Sequence, residues 1–242
     1  LVIDMNLLAN HQSMTQPHYV STSVGWGVLH LFCKVTDTTD EQRVIAAVKE
    51  VQDGDHQVLC VALFGHKADI GFMALGPDLW RLRSLQSKLQ QAGLVVADSY
   101  VSMTETSEYA PDLPEEMKMP RLHPELPPQG KHAFCFYPMS KRREEQGNWY
   151  TLEYETRREL MYEHGKSGRN FRGRILQVVT GSTGVDDYEW GVTLFAEHLD
   201  DLKEVVYTMR YDEASAIYGE FGAFYTGLLD EVEIVAQQVL NG

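Results

Sequence analysis

The stretch RRELMYEHGKSGRN, residues 157–170, raises the first chemical question in this chain. An imidazole such as His164 can bind a metal or move a proton near neutral pH. Its neighbours suggest something plainer. A Gly directly after a helical run is a common helix end, and a His in a last turn is favoured by the negative end of the helix dipole. The local pattern therefore predicts a helix that stops at His164 and Gly165. The surrounding charge is less ordinary. Nine cations, Lys141, Arg142, Arg143, Arg157, Arg158, Lys166, Arg169, Arg172 and Arg174, stand against Glu144, Glu145, Glu153, Glu155, Glu159 and Glu163. This segment is locally +3 in a chain of net charge −14. It reads as a solvated helix face of Glu/Arg pairs or as one wall of a site for an anionic ligand.

The elements that must position these residues belong to a 242-residue chain, long enough for one or two domains with a substantial core. Apolar residues make up 43% and charged residues 23%, as in ordinary globular proteins. The acidic balance argues against nucleic acid as the main partner. No apolar run approaches a membrane span. The opening LVIDMNLLANHQSM has no basic region, long apolar run or cleavage site, so it does not read as a signal peptide. Cys33, Cys60 and Cys135 are odd in number and widely spaced, which predicts neither a disulfide framework nor a metal knot and suggests a reducing cytoplasm.

Periodicity gives the order of elements. YVSTSVGWGVLHLFCKV, from Tyr19, reads as a strand, and residues 38–52 as a helix. HQVLCVALFG and ADIGFMAL read as strands, residues 77–93 as a helix opened by Pro and closed by Gly, and LVVADSYVSM as a strand. The order β-α-β-β-α-β is that of a ferredoxin-like unit. Residues 111–130 hold six of the nine prolines and read as an extended connector. The order then repeats: strand HAFCFYPM, helix NWYTLEYETRRELMYEHG, strands RILQVVTGS and YEWGVTLFAE, helix LDDLKEVVYTMR and strand GAFYTGLL. The expectation is an α+β chain with a ferredoxin-like half at 1–110, a connector at 111–130 and a second half at 131–242. Face-to-face pairing of the two sheets would make an α+β barrel, and any exposed sheet edges would favour an oligomer.

Several long words in fixed order then point to a family. FYPMSKRR (136–143), NWYTL (148–152), RRELMYEHGKSGR (157–169), QVVTGSTGVDDYEWGVTLF (177–195) and MRYDEASAIYGEFGAFYTG (209–227) resemble the chlorite dismutase superfamily, as does GHKADIGFM (65–73). The likeness is greatest to its coproheme-decarboxylating branch of the Firmicutes type, and it is dense from about 131 to 228.

The resemblance implies roles that the residues alone do not establish. His164 matches the axial iron ligand, a position suited to neutral imidazole. Tyr137 matches the catalytic tyrosine, whose phenol can be oxidised to a radical and can hydrogen-bond a carboxylate. Lys141, four residues on in what reads as a loop, matches a lysine that meets the reactive propionate. The backbone through Pro138, Met139 and Ser140 would wrap the same group, and Trp149 would form a wall near the porphyrin or an alternative oxidisable site. Gln177 stands where chlorite-decomposing members carry a cation for the oxyanion. Other decarboxylases place a distal histidine earlier in the chain, so His123 and His132 remain alternatives. Arg210, Ser215 and Arg121 match propionate-holding positions.

The implied reaction is peroxide-dependent decarboxylation of Fe-coproporphyrin III (coproheme) to haem b, with the porphyrin as both substrate and redox centre. The implied partners are coproheme, hydrogen peroxide, other copies of the chain in a homopentamer, and transiently a ferrochelatase. Competing readings are a chlorite-decomposing haem enzyme and a haem-binding chaperone or sensor without chemistry.

Overall fold

The structure is a computed structural model that describes residues 18–241. The reading of residues 1–14 as lacking a signal peptide falls outside that range. The first half contains strand β1 (Gly27–Lys34), helix α1 (Glu41–Val51), β2 (Gln57–Leu63), β3 (Ile70–Gly76), α2 (Leu79–Gln91) and β4 (Val95–Thr104). Asp40 and Asp78 cap α1 and α2, each accepting a backbone N–H of its first turn. A short helix α3 (Glu115–Leu122) follows. The second half contains β5 (Ala133–Lys141), α4 (Tyr154–Arg169), β6 (Ile175–Gly181), β7 (Trp190–Ala196), α5 (Leu199–Met209), the single turn α6 (Glu213–Ala216), β8 (Gly219–Phe221), β9 (Tyr225–Asp230) and α7 (Val232–Leu240).

Both halves have the same antiparallel strand order. It is β4-β1-β3-β2 in the first and β9-β5-β7-β6 in the second, which is the ferredoxin-like arrangement. The halves join at their edges rather than face to face. β2 pairs with β9 over Cys60–Leu63, and β4 pairs with β6 at Met103 and Thr104. Those two seams close eight strands into one barrel, with β8 added beside the end of β5. The strand edges that the sequence suggested for oligomer contacts are thus largely used within the chain, because closure removes unpaired N–H and C=O groups.

Alternation along each strand sorts side chains between barrel interior and outer face. Val28, Phe32, Met73, Phe134, Phe136 and Phe195 fill the interior with other apolar groups. The outer face of the first half is covered by α1, α2 and α7, which bring Val44, Val48, Leu85, Leu89, Val235 and Ala236 onto Leu31, Cys33 and Phe72. The outer face of the second half is covered mainly by α5, where Leu202 and Val205 meet Cys135, Val192 and Leu194.

Here the halves differ. Helix α1 buries five residues, whereas α4, which holds the same place in its own half, buries none. Instead Leu160 and Met161 of α4 pack on a small separate cluster of Trp149, Ala214 and Tyr218. The composition explains this: α4 is rich in Arg and Glu and lacks the wide apolar stripe that a sheet-covering helix needs.

Four sequence expectations require correction. The first strand begins at Gly27, not Tyr19, because Gly25 turns the chain at φ 68° and Thr22 bonds to its carbonyl at 2.6 Å. The helix carrying His164 continues through Gly165 and Gly168 to Arg169, so Gly165 is not a cap. Residues 137–141 are strand rather than loop. Pro138 is tolerated because its carbonyl side, where its missing N–H would also lie, faces the gap between β9 and β8; there the carbonyl accepts from Gly222 N–H at 2.8 Å. The proline-rich connector contains α3, whose start carries Pro114, Glu115 and Glu116, residues that suit a helix N-terminus. Among the described residues no helix is long and apolar enough to cross a membrane.

Candidate functional site

Strand β5 places Tyr137, Met139 and Lys141 on the outer, helix-side face, while Pro138 and Ser140 point the other way. The ladder carries that face across the sheet. Tyr137 pairs with Val192, which pairs with Val179; Cys135 pairs with Leu194, which pairs with Gln177. Gln177 therefore shares the face of Tyr137, two strands away and one row along, roughly 12 Å between Cα atoms on standard strand spacings. Gln177 and Val179 are exposed.

Tyr137 is 8% exposed and stacks on Phe224 at 4.5 Å, with Phe221 edge-on at 5.7 Å. Burial pushes its phenol well above the ordinary range, and Cys135 adds to the shift. Ser140 accepts the Glu189 N–H at 3.2 Å, and the Met139 carbonyl accepts the same group at 3.1 Å. Of the run 138–140, only the Met139 side chain reaches the helix-side face.

Lys141 is 6% exposed and Trp149 only 2%. The Lys141 Nζ donates to the Ala214 carbonyl at 2.6 Å and lies 4.4 Å from the centroid of the Trp149 ring. Its backbone N–H donates to Glu189 Oε2 at 2.8 Å, and Arg143 pairs with the other oxygen of that buried carboxylate. Burial lowers the Lys141 ammonium from 10.5 to about 8, against the carboxylates of Asp212 and Glu189, which resist the shift. Trp149 stands on a short 3-10 turn that Asn148 caps, edge-on to Tyr218 at 5.2 Å and to Tyr109 at 6.3 Å.

His164 lies on the α4 face that meets α6. Its Nδ1 is 3.1 Å from both carboxylate oxygens of Asp212 and 3.4 Å from Ser215 Oγ. Asp212 also caps α6 by accepting Ser215 N–H at 3.1 Å. Burial opposes ionisation of Asp212, but the His164 bond and the Ser215 N–H outweigh it and hold the carboxyl below its ordinary value. With Nδ1–H committed to Asp212, the lone pair of Nε2 is the one available to a metal. No group of three or more acidic, His or Cys side chains among the described residues could hold an ion by itself.

The other expected residues are less gathered. Arg210 caps the end of α5 and is exposed. Ser215 faces His164 and Asp212. Arg121 is exposed and donates to Met117 within its own helix, with no contact to Tyr137, Lys141 or His164 among the described residues. His123 packs edge-on against Trp26 at 4.9 Å, and His132 bonds to the Leu229 carbonyl at 2.9 Å, five strand residues from Tyr137. Neither His stands beside Gln177. Sequence reasoning missed Asp212 and Glu189. Asp212 carried a signal, an Asp three residues before Ser215 at a helix start; Glu189 carried none, being one acid among 35 Asp and Glu.

This geometry can be set beside known proteins. A family model described as chlorite dismutase matches residues 38–229. The chain is 43% identical over 230 residues to the coproheme decarboxylase of Staphylococcus carnosus (strain TM300), covering 84% of this chain and 91% of that protein. A solved structure described as a heme-binding protein from Thermus thermophilus superposes with a TM-score of 0.81 at 34% identity, covering 93% of this chain and 98% of that one. A variant of the chlorite dismutase from Candidatus Nitrospira defluvii gives a TM-score of 0.70 at 19% identity over 90% of this chain and 96% of that one, a likeness of fold.

Proposed function

The chain belongs to the chlorite dismutase family, and we propose that it is a coproheme decarboxylase, which uses hydrogen peroxide to convert two propionates of Fe-coproporphyrin III to vinyls and so makes haem b. The observation that supports the reading is the His164–Asp212 pair, which fixes one imidazole through Nδ1 and leaves its Nε2 to hold an iron.

The side chains present suit coproheme as substrate. His164 offers Nε2 to the iron, and Met139 and Val179 give that face apolar surface. Arg210, Ser215 and Arg121 are the donors assigned to propionates. Lys141 gives one of its three N–H donors to the Ala214 carbonyl and has others to offer a propionate, and Trp149 serves as a wall. When bound, coproheme supplies the iron through which peroxide provides oxidising equivalents. Each propionate that becomes a vinyl releases carbon dioxide and uses one peroxide and one proton, giving two waters.

The chain's own residues shape that conversion. Tyr137 is held as a neutral phenol, because burial disfavours its phenolate. What it can exchange at neutral pH is therefore a hydrogen atom, the species that must leave the propionate β-carbon. Lys141 can donate the proton that the balance requires. Gln177 presents a neutral amide, which offers no cation to an oxyanion and so disfavours chlorite chemistry.

We further infer a cytoplasmic homo-oligomer, a pentamer by family resemblance, that meets a ferrochelatase transiently. The three cysteines, all buried and unbonded, support a reducing compartment. To separate the leading reading from chlorite chemistry, protein loaded with coproheme is given peroxide and protein loaded with haem b is given chlorite. Vinyl formation without oxygen release is the expected result. Oxygen release from chlorite with coproheme left intact would replace this reading with the other.

A further inference from the structure

We propose that Lys141 holds oxidising equivalents off Trp149 and thereby directs them to Tyr137. The proposal rests on the decarboxylase reading and adds a positioning role that acts through Trp149.

Two oxidisable rings lie close along the chain to Lys141. Tyr137 precedes it by four residues on the same face of β5, and Trp149 sits under its ammonium at 4.4 Å. The ammonium is fixed there by the Ala214 carbonyl at 2.6 Å, and both Lys141 and Trp149 are buried. Tyr137 has no such neighbour: its ring partners are Phe224 and Phe221, and among the described residues no cation lies over it.

A cation over a neutral indole is attractive. Once the indole loses an electron it is itself a cation until its N–H proton departs, and during that step the contact is repulsive. Tyrosine differs, because the phenol loses its proton to water together with the electron and remains neutral. In both cases the electron would go to hydrogen peroxide, the oxidant, through the iron that coproheme would supply when bound. The ammonium therefore penalises only Trp149. After partial cancellation by Asp212 and Glu189, the carboxylates that face Lys141, a unit charge at this distance shifts the oxidised population of Trp149 by on the order of a hundredfold.

Protection of Trp149 matters because of what lies beyond it. Tyr109 is edge-on to Trp149 at 6.3 Å and packs near-parallel to Tyr154 at 5.9 Å, and Tyr154 is 38% exposed. A hole on Trp149 has an aromatic route to the surface, where it is lost to the substrate.

The test loads wild-type protein and the Lys141→Met, Lys141→Gln and Lys141→Arg variants with coproheme and adds peroxide. Porphyrin products and oxygenation of Trp149 are read by mass spectrometry, with Trp190 as internal standard. Wild-type decarboxylation establishes the underlying reading; its absence removes that reading and this proposal with it. Given wild-type decarboxylation, Trp149 oxygenation at least tenfold higher in Lys141→Met and Lys141→Gln, and near wild type in Lys141→Arg, is the expected result. Gln retains a donor for Ala214, so it separates charge from packing. Adding Trp149→Phe to Lys141→Gln should lower the peroxide used per vinyl formed. Equal Trp149 oxygenation in wild type and in the neutral variants overturns the proposal.

Discussion

The Nδ1 atom of His164 lies 3.1 Å from both carboxylate oxygens of Asp212, and the same carboxylate caps α6 through Ser215 N–H. One acid thus sets the tautomer of the proposed iron ligand and ties α4 to the turn beneath it. Asp212→Asn keeps a cap and an acceptor but removes the charge; Asp212→Ala removes both. The expected losses of coproheme affinity are about tenfold for Asn and closer to a hundredfold for Ala, the range for partners that orient metal ligands. Titration of the apoprotein followed by porphyrin absorbance measures both. Equal affinity in all three proteins would show that the pair does not orient the ligand.

Glu189 is the second acid that organises the site, with its side chain 4% exposed, one oxygen on Lys141 N–H and the other on Arg143. Glu189→Ala leaves a buried N–H without a partner, which costs about 2 kcal/mol. In a chain of this size that lowers Tm by about 4–8 °C. Thermal unfolding checks it, and Arg143→Ala should have a much smaller effect because Arg143 is exposed and its pair weakly stabilising.

The β2–β9 seam gives a prediction about the barrel. A Cβ on Gly227 would lie 2.3 Å from the Ala62 carbonyl oxygen and 2.7 Å from Val61 Cγ1. Backbone must move to admit it, so Gly227→Ala is expected to destabilise by about 2 kcal/mol or more. Denaturant unfolding measures this. Gly173→Ala makes a contrast, since a Cβ there meets nothing within 4 Å, although its φ of +85° leaves backbone strain.

The buried ammonium of Lys141 predicts a pH dependence. Burial takes it from 10.5 to about 8 in the folded state. Below about 8 it is charged in both states and folding carries the desolvation. Between about 8 and 10.5 the unfolded state binds more protons, so stability rises with pH there. Melting curves of wild type and Lys141→Met, compared from pH 7 to 10.5, should show wild type gaining on the variant through this window. A constant difference would mean that Lys141 keeps its ordinary affinity for the proton.

Much of this was legible in the chain because the patterns were local. Apolar runs such as HAFCFYPM and capped helices such as residues 38–52 identified both ferredoxin-like halves. What escaped depended on distant partners. Gly165 looked like a helix end, but contacts between α4 and α6 carry the helix on to Arg169, offsetting the roughly 1 kcal/mol that each interior Gly costs. The mode of barrel closure was hidden because edge pairing is set by ladders such as Cys60 with Asp230, 170 positions apart. His164, Tyr137 and Gln177 were named by resemblance; composition alone said only that a basic segment lies in an acidic protein. Asp212 became visible as a partner only once α6 was placed beside α4.

The most direct test of the central claim follows the porphyrin itself. Coproheme is bound to the apoprotein, hydrogen peroxide is titrated in, and the products are resolved by mass spectrometry. The account predicts stepwise loss of two carboxyl groups with formation of haem b, abolished in Tyr137→Phe although that variant still binds coproheme. Coproheme that binds yet survives peroxide unchanged or merely bleaches, or a Tyr137→Phe variant that decarboxylates at the wild-type rate, would contradict it.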